Sequence, residues 1–205
     1  MIGKLIARDL RRGLTGSAWL PAAFFLLVAT LVPFAVGPDA RLLGQIGGGI
    51  LWVAALTAAL LPIERLIEPD RADGMLDQLK LHGLAEESVA AAKIAAHWLS
   101  FAPLLLLAAL PAAALLAMDG ATLLRTEIAL AIGTPGLAAL AVAVAAVTAG
   151  LPRASSLAGL LLLPLAVPLL IFGAAHSLLL EAAVSLLLTA GAPFIAGAAI
   201  RASRT

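Results

Sequence analysis

Six long apolar stretches separated by short polar breaks make up most of this chain of 205 residues. Each is long enough for a helix across a hydrocarbon core, which takes about 20 residues. Because lipid offers no partner to backbone polar groups, and the stretches are continuously apolar, they predict helices rather than barrel strands. The sequence therefore predicts an all-α polytopic membrane protein in one domain, residues 1–205. The six predicted spans are Ser17–Val36, Gly44–Ile63, Ile94–Ala117, Ile128–Leu151, Leu157–Ala175 and Leu179–Ile200.

The composition agrees with this class and narrows the possible chemistry. The chain is 62% hydrophobic and 12% charged, whereas soluble domains average about 45–50% apolar and about 25% charged residues. It has no cysteine, which excludes disulfides, thiolate metal sites and a cysteine nucleophile. It also lacks the glycine-rich P-loop that binds ATP phosphates. A non-catalytic protein without a nucleic-acid partner is therefore expected, and no cofactor site stands out.

Lysine and arginine residues are distributed unequally across the predicted membrane. Eleven of the thirteen lie on the side of the N-terminus. Cytoplasmic loops carry the excess of lysine and arginine, so both termini are expected in the cytoplasm. The eleven are Lys4, Arg8, Arg11, Arg12, Arg65, Arg71, Lys80, Lys93, Arg153, Arg201 and Arg204, and only Arg41 and Arg125 lie opposite.

Residues 1–16 precede the first span and have an amphipathic pattern. Ile2, Leu5 and Ile6 share one helical face, and the basic residues favour the other. This pattern is typical of a helix that lies in the membrane interface. The alternative is an ordinary basic segment that only orients the first span.

Glycine and proline interrupt several spans, most densely at Gly133-Thr134-Pro135-Gly136. Proline removes a backbone donor and clashes with the preceding turn, so this run is the expected helix break. Gly133, Pro135 and Gly136 are candidate hinge residues, and a fixed kink is the alternative. The middles of the spans carry no charged residue, which argues against an ion-coupled secondary transporter.

The polar segment 64–93 is expected to form a cytoplasmic loop with a short helix. Pro69 and Gly74 favour a turn, and Asp73 is placed to cap the helix that follows. Gly83 is the expected stop. The helix has an apolar face of Met75, Leu76 and Leu79. Such a helix suits a groove on a partner protein, and the alternatives are the membrane surface or the chain's own spans.

Two tryptophans and a histidine are the remaining candidates for a ligand contact. His97 and Trp98 are adjacent near the start of the third span. They are typical of an interfacial anchor pair, with haem or substrate contact as the alternative. Trp52 lies nearer the middle of its span and is expected to face protein or a transport pathway.

A series of short motifs, in order along nearly the whole chain, resembles the haem exporter protein B family (CcmB) of cytochrome c maturation. The likeness is weakest after Phe172. The motifs are Gly49 to Leu56, Glu64-Arg65-Leu66, Asp73-Gly74, Asp77-Gln78-Leu79, Lys93 with Ala96-His97-Trp98, Gly133-Thr134-Pro135, Leu163-Pro164-Leu165 and Pro168 to Phe172.

The resemblance implies a membrane subunit of an ABC transporter in the bacterial inner membrane. The implied partners are a separate ABC ATPase subunit that binds ATP, a second copy of this chain, a haem-handling membrane protein and a haem chaperone, with haem as the possible substrate. Segment 64–93 would be the coupling loop. A permease for another apolar or amphipathic substrate, and a purely structural scaffold, are the alternatives. The implied coupling residues are Glu64, Arg65, Asp70, Asp73, Gly74, Met75, Leu76, Asp77, Gln78 and Leu79.

Overall fold

The structure, a computed structural model, describes residues 1–16, 19–151 and 154–203. Within these residues the chain forms nine α-helices and one 3-10 turn, Ile63–Arg65. Ser17, Arg153 and Arg204, which entered the predictions, lie outside the described residues. The helices are α1 Ile2–Gly16, α2 Trp19–Val36, α3 Ala40–Leu60, α4 Glu68–Ala72, α5 Met75–Leu81, α6 Glu86–Leu115, α7 Gly120–Thr148, α8 Ala154–Ala174 and α9 Leu178–Ala202.

The all-α architecture with six membrane-spanning helices is confirmed. In the described residues, α2, α3, α6, α7, α8 and α9 supply six candidate spans of sufficient length and hydropathy. The predicted start was wrong for two of them, because α6 begins at Glu86 and α7 begins at Gly120. Both start with polar turns that hydropathy does not detect. Lys93 consequently lies inside α6 rather than in the loop.

Acidic residues define where two of the spanning helices begin. The side chain of Asp39 accepts hydrogen bonds from the backbone N–H groups of Arg41 and Leu42, at 2.9 and 3.1 Å. Asp119 does the same for Thr122 at 2.8 Å. Each carboxylate satisfies N–H groups that the first turn of a helix leaves without partners.

Helix α7 is at the centre of the bundle. It packs against α9 most extensively and also contacts α3, α6 and α8. From Leu137 to Ala146 it consists of buried leucine, alanine and valine residues. Small side chains let neighbouring backbones approach closely, which is how helices associate in lipid. By contrast, α2, α8 and α9 expose most of their residues.

Helix α7 continues without interruption through the glycine and proline run. Residues 133–136 are helical, so the predicted break there was wrong. The backbone N–H of Gly136 donates to Ser185 Oγ of α9 at 3.0 Å. A side chain of the neighbouring helix therefore supports the backbone beside Pro135, as occurs at proline sites in membrane helices.

Candidate functional site

Two short helices join α3 to α6 on the side of the N-terminus. Gly74, at a φ of 67°, begins α5 without any side-chain cap. The predicted cap by Asp73 was therefore wrong, because this residue ends α4 instead. Pro69 lies within α4, so Pro69 and Gly74 do not form a single turn. Gly83, with a φ of 77°, follows the end of α5, as predicted for a stop.

The apolar face of α5 is packed against the chain itself. Leu76 and Leu79 are buried in the hydrophobic core, and Met75 is packed against that core. Asp77 and Gln78 are exposed on the opposite face, and Leu81 at the end of the helix is 87% exposed. The alternative in which the helix folds back on its own spans therefore describes this packing. The surface available to a partner is the polar face and Leu81.

The remaining candidate coupling residues fall into two groups. Glu64, Arg65 and Asp73 are exposed around the same two helices. Asp70 is only 2% exposed, so its carboxylate is directed into the protein.

The Asp70 carboxylate joins three separate parts of the chain. One oxygen accepts from Arg8 of α1 and Lys93 of α6, both at 2.5 Å, and the other accepts from Arg12 of α1 at 2.8 Å. Lys93 also contacts Asp9 at 3.3 Å and donates to the Leu66 carbonyl at 3.0 Å. The buried ammonium and carboxylate therefore satisfy each other.

The Asp70 network holds its charges at neutral pH. Burial alone would raise the pKa of Asp70, but the ion pairs with Lys93 and Arg8 outweigh burial and lower it. Removing one partner from a buried network leaves an uncompensated charge, which costs about 3–5 kcal/mol. The network thus holds α1 and α4 against α6.

Helix α4 also contacts the far end of α7. Glu68 accepts from the backbone N–H of Gly150 at 2.8 Å and pairs with Arg71 at 2.7 Å. At the same side of the bundle, Arg201 of α9 pairs with Glu87 of α6 at 2.5 Å. These contacts connect the short α4–α5 segment, directly or through α6, to three spanning helices.

A cavity of about 380 Å³ lies beside the Asp70 network, between α1, the start of α2, and α6. His97 lines it, is 5% exposed, and packs against Phe101 with ring centroids 4.8 Å apart. Its Nε2 atom has no hydrogen-bond partner among the described residues. The cavity therefore contains a buried polar atom available to a ligand.

The indole of Trp52 is fully buried between α7 and α8. A Cβ at Gly173 would lie 2.5 Å from the indole Nε1, and a Cβ at Gly133 would also overlap the ring. The two glycines form a slot with no room for a larger residue. The predicted hinge residue Gly133 thus accommodates a neighbouring side chain in this packing.

A buried carboxyl group in this region was missed by the sequence analysis. Glu181 is 0% exposed, and neither of its oxygens has a hydrogen-bond partner among the described residues. Its Oε1 would lie 2.7 Å from a Cβ at Gly133, halfway along α7. The interior of the spans is therefore not free of ionisable residues, as the sequence analysis had concluded. A glutamate in the first turn of an apolar span was the available signal.

The three residues considered for haem or substrate contact do not gather at one place. His97 lines the cavity beside α1, and Trp52 lies in the glycine slot. Trp98 donates from its Nε1 to Thr134 Oγ1 of α7 at 3.2 Å. A common ligand pocket formed by all three is absent from this packing.

The architecture defines a class of protein, a six-span membrane subunit with a short helical segment at one end of its bundle. The family model described as CcmB protein matches residues 1–203. Heme exporter protein B of Rhodobacter capsulatus is 45% identical over 83% of this chain and 79% of its own length. The Bradyrhizobium diazoefficiens protein of that name is 40% identical over 94% and 86%, and the Escherichia coli one 40% over 85% and 80%. The chain belongs to the CcmB family.

Proposed function

We propose that this chain is the membrane permease subunit of a haem-exporting ABC transporter of the bacterial inner membrane. The observation that carries the proposal is its similarity, over most of its length, to proteins named heme exporter protein B. Both termini and the α4–α5 segment are placed in the cytoplasm by the excess of basic residues on that side. Catalysis of ATP hydrolysis belongs to a separate subunit.

The α4–α5 segment is the proposed docking surface for that ATPase. Asp77, Gln78 and Leu81 face outward, while Leu76 and Leu79 fix the helix to the core. A displacement of this segment reaches α1 and α6 through Asp70, and the end of α7 through Glu68. This contact route supports a role in transmitting movement from the ATPase to the spans.

Affinity purification from native membranes in mild detergent tests the assembly. We expect a P-loop ATPase to co-purify with a haem-handling membrane protein, a haem chaperone and a second copy of the chain. Recovery of an ATPase without haem proteins would indicate a permease for another apolar or amphipathic substrate. Recovery of no ATPase, in a detergent that preserves other membrane complexes, would contradict the proposal.

The variant Asp77→Lys tests the docking surface. A cation at this exposed position should weaken ATPase binding and reduce the ATPase recovered with the chain. The matched control is Arg11→Glu, which reverses another exposed charge on the same side but outside α4–α5. Full ATPase occupancy in the Asp77→Lys complex would show that the subunit docks elsewhere.

A further inference from the structure

We propose that the cavity beside α1 binds the phosphate group of an anionic phospholipid. The site does not depend on the transport function proposed above. Its wall combines three basic side chains with apolar surface, at the end of the bundle where α1 joins the first span. Its volume of about 380 Å³ is within the range of about 300–1,000 Å³ found for ligand sites.

The charge of the cavity favours an anion. Arg12, Arg65 and Lys93 line it, together with the carboxylates of Asp9 and Asp70. Arg8 pairs with both carboxylates, at 2.6 and 2.5 Å. Four cations therefore surround two acids, and the excess is positive. Guanidinium groups match the oxygens of a phosphate, and basic pockets beside cytoplasmic ends of spans recognise lipid head groups.

The histidine supplies the second requirement of a built site. His97 is 5% exposed, and its Nε2 lines the cavity without a partner among the described residues. A buried polar atom without a hydrogen bond is costly. A phosphate oxygen that accepts from the imidazole would remove this cost.

The apolar part of the wall distinguishes a lipid from a soluble anion. Pro21, Ala96 and Phe101 face the cavity beside the charged groups. Gly13 permits close approach here, because a Cβ on it would lie 3.0 Å from Ser100 Cβ. A ligand with a phosphate and a glycerol–acyl portion satisfies both kinds of surface, whereas inorganic phosphate satisfies only one.

The test uses the full chain in mild detergent, with native mass spectrometry to count bound lipids. Phosphatidylglycerol should be retained at one site under conditions that remove phosphatidylcholine with the same acyl chains. Arg12→Gln should weaken phosphatidylglycerol binding about tenfold, as expected for loss of one charge-assisted contact. Asp70 keeps Arg8 and Lys93 as partners in this variant. Arg11→Gln is the matched control and should bind normally, because Arg11 lies outside the cavity.

A second variant and two competitors decide the remaining outcomes. His97→Phe keeps the aromatic packing but removes the ring nitrogens, and it should also weaken lipid binding. Equal weakening by Arg12→Gln and Arg11→Gln would indicate surface adsorption and overturn the proposal. Displacement of the lipid by excess inorganic phosphate would assign the site to free phosphate. Displacement by haem would assign it to haem carboxylates, and either result would overturn the lipid assignment.

Discussion

The slot around Trp52 requires glycine on both sides of the indole. Gly173→Ala should destabilise the protein by about 1–3 kcal/mol, because the new Cβ would overlap a fully buried ring. Thermal unfolding in detergent measures the change. Gly159→Ala is the matched control on the same helix, since nothing lies within 4 Å of its added Cβ. A Gly173→Ala protein as stable as that control would contradict the slot.

The buried carboxyl of Glu181 should contribute no stabilising charge. An ionised group without a partner in an apolar interior is expensive. We therefore expect Glu181→Gln, which has the same shape and no charge, to unfold at the temperature of the parent protein or above it. A clear loss of thermal stability would mean that the carboxylate has an ionic partner in the assembled protein.

At the scale of elements, the Asp70 network decides whether α1 remains on the bundle. Asp70→Asn removes the shared partner of Arg8, Arg12 and Lys93. A loss of about 3–5 kcal/mol is expected, because Lys93 then becomes an uncompensated buried charge. Faster proteolysis within α1 would report the release. Asp73→Asn, an exposed aspartate nearby, is the control and should leave the cleavage rate unchanged.

The same network gives α1 a defined pH dependence. The pKa of Asp70 is lowered on folding, so its contribution is complete above the ordinary aspartate pKa of about 3.9. It is lost as the pH falls further, through the lowered pKa. A spin label at position 3, where glycine has open space around it, should become mobile only in acid. In Asp70→Asn the label should be mobile at neutral pH too; an immobile label there would contradict the assignment.

The spanning helices could be predicted from sequence, but the contacts that position α4 and α5 could not. Apolar runs of about 20 residues specify helices in lipid almost regardless of context. The partners of Asp70, in contrast, are 62, 58 and 23 residues away. Such pairing depends on tertiary packing and leaves no periodic signal. Asp73 failed as a predicted cap because local propensity gave way to a glycine in the left-handed conformation.

The depth of Glu181 was also beyond sequence reasoning. Counting residues places it one turn from the end of its span. The α8–α9 turn, however, is recessed, since His176 contacts Thr126 of α7 at 3.1 Å and lies against Gly48 of α3. A residue near a helix end therefore reaches the middle of the bundle. Hydropathy reports how long a span is but not how far neighbouring spans are offset along the membrane normal.

At the scale of the whole molecule, the proposed orientation can be tested with introduced thiols. The chain has no native cysteine, so a single substitution gives an unambiguous signal. A cysteine at Leu81 should be protected from a membrane-impermeant maleimide in intact spheroplasts. One at Gly120, exposed at the opposite end, should be labelled. The reverse pattern would place the α4–α5 segment outside and contradict a cytoplasmic ATPase contact.

The Trp52 slot also gives the protein an intrinsic optical reporter. The chain has three tryptophans and no tyrosine, so its ultraviolet emission comes from indoles alone. Trp19 is 65% exposed and Trp98 36%, whereas Trp52 is 0% exposed. The emission of Trp52 depends on the spacing of α3, α7 and α8, the helices that enclose it. Any step of a transport cycle that separates these helices will admit water to the ring and shift that emission to longer wavelength, without an added label.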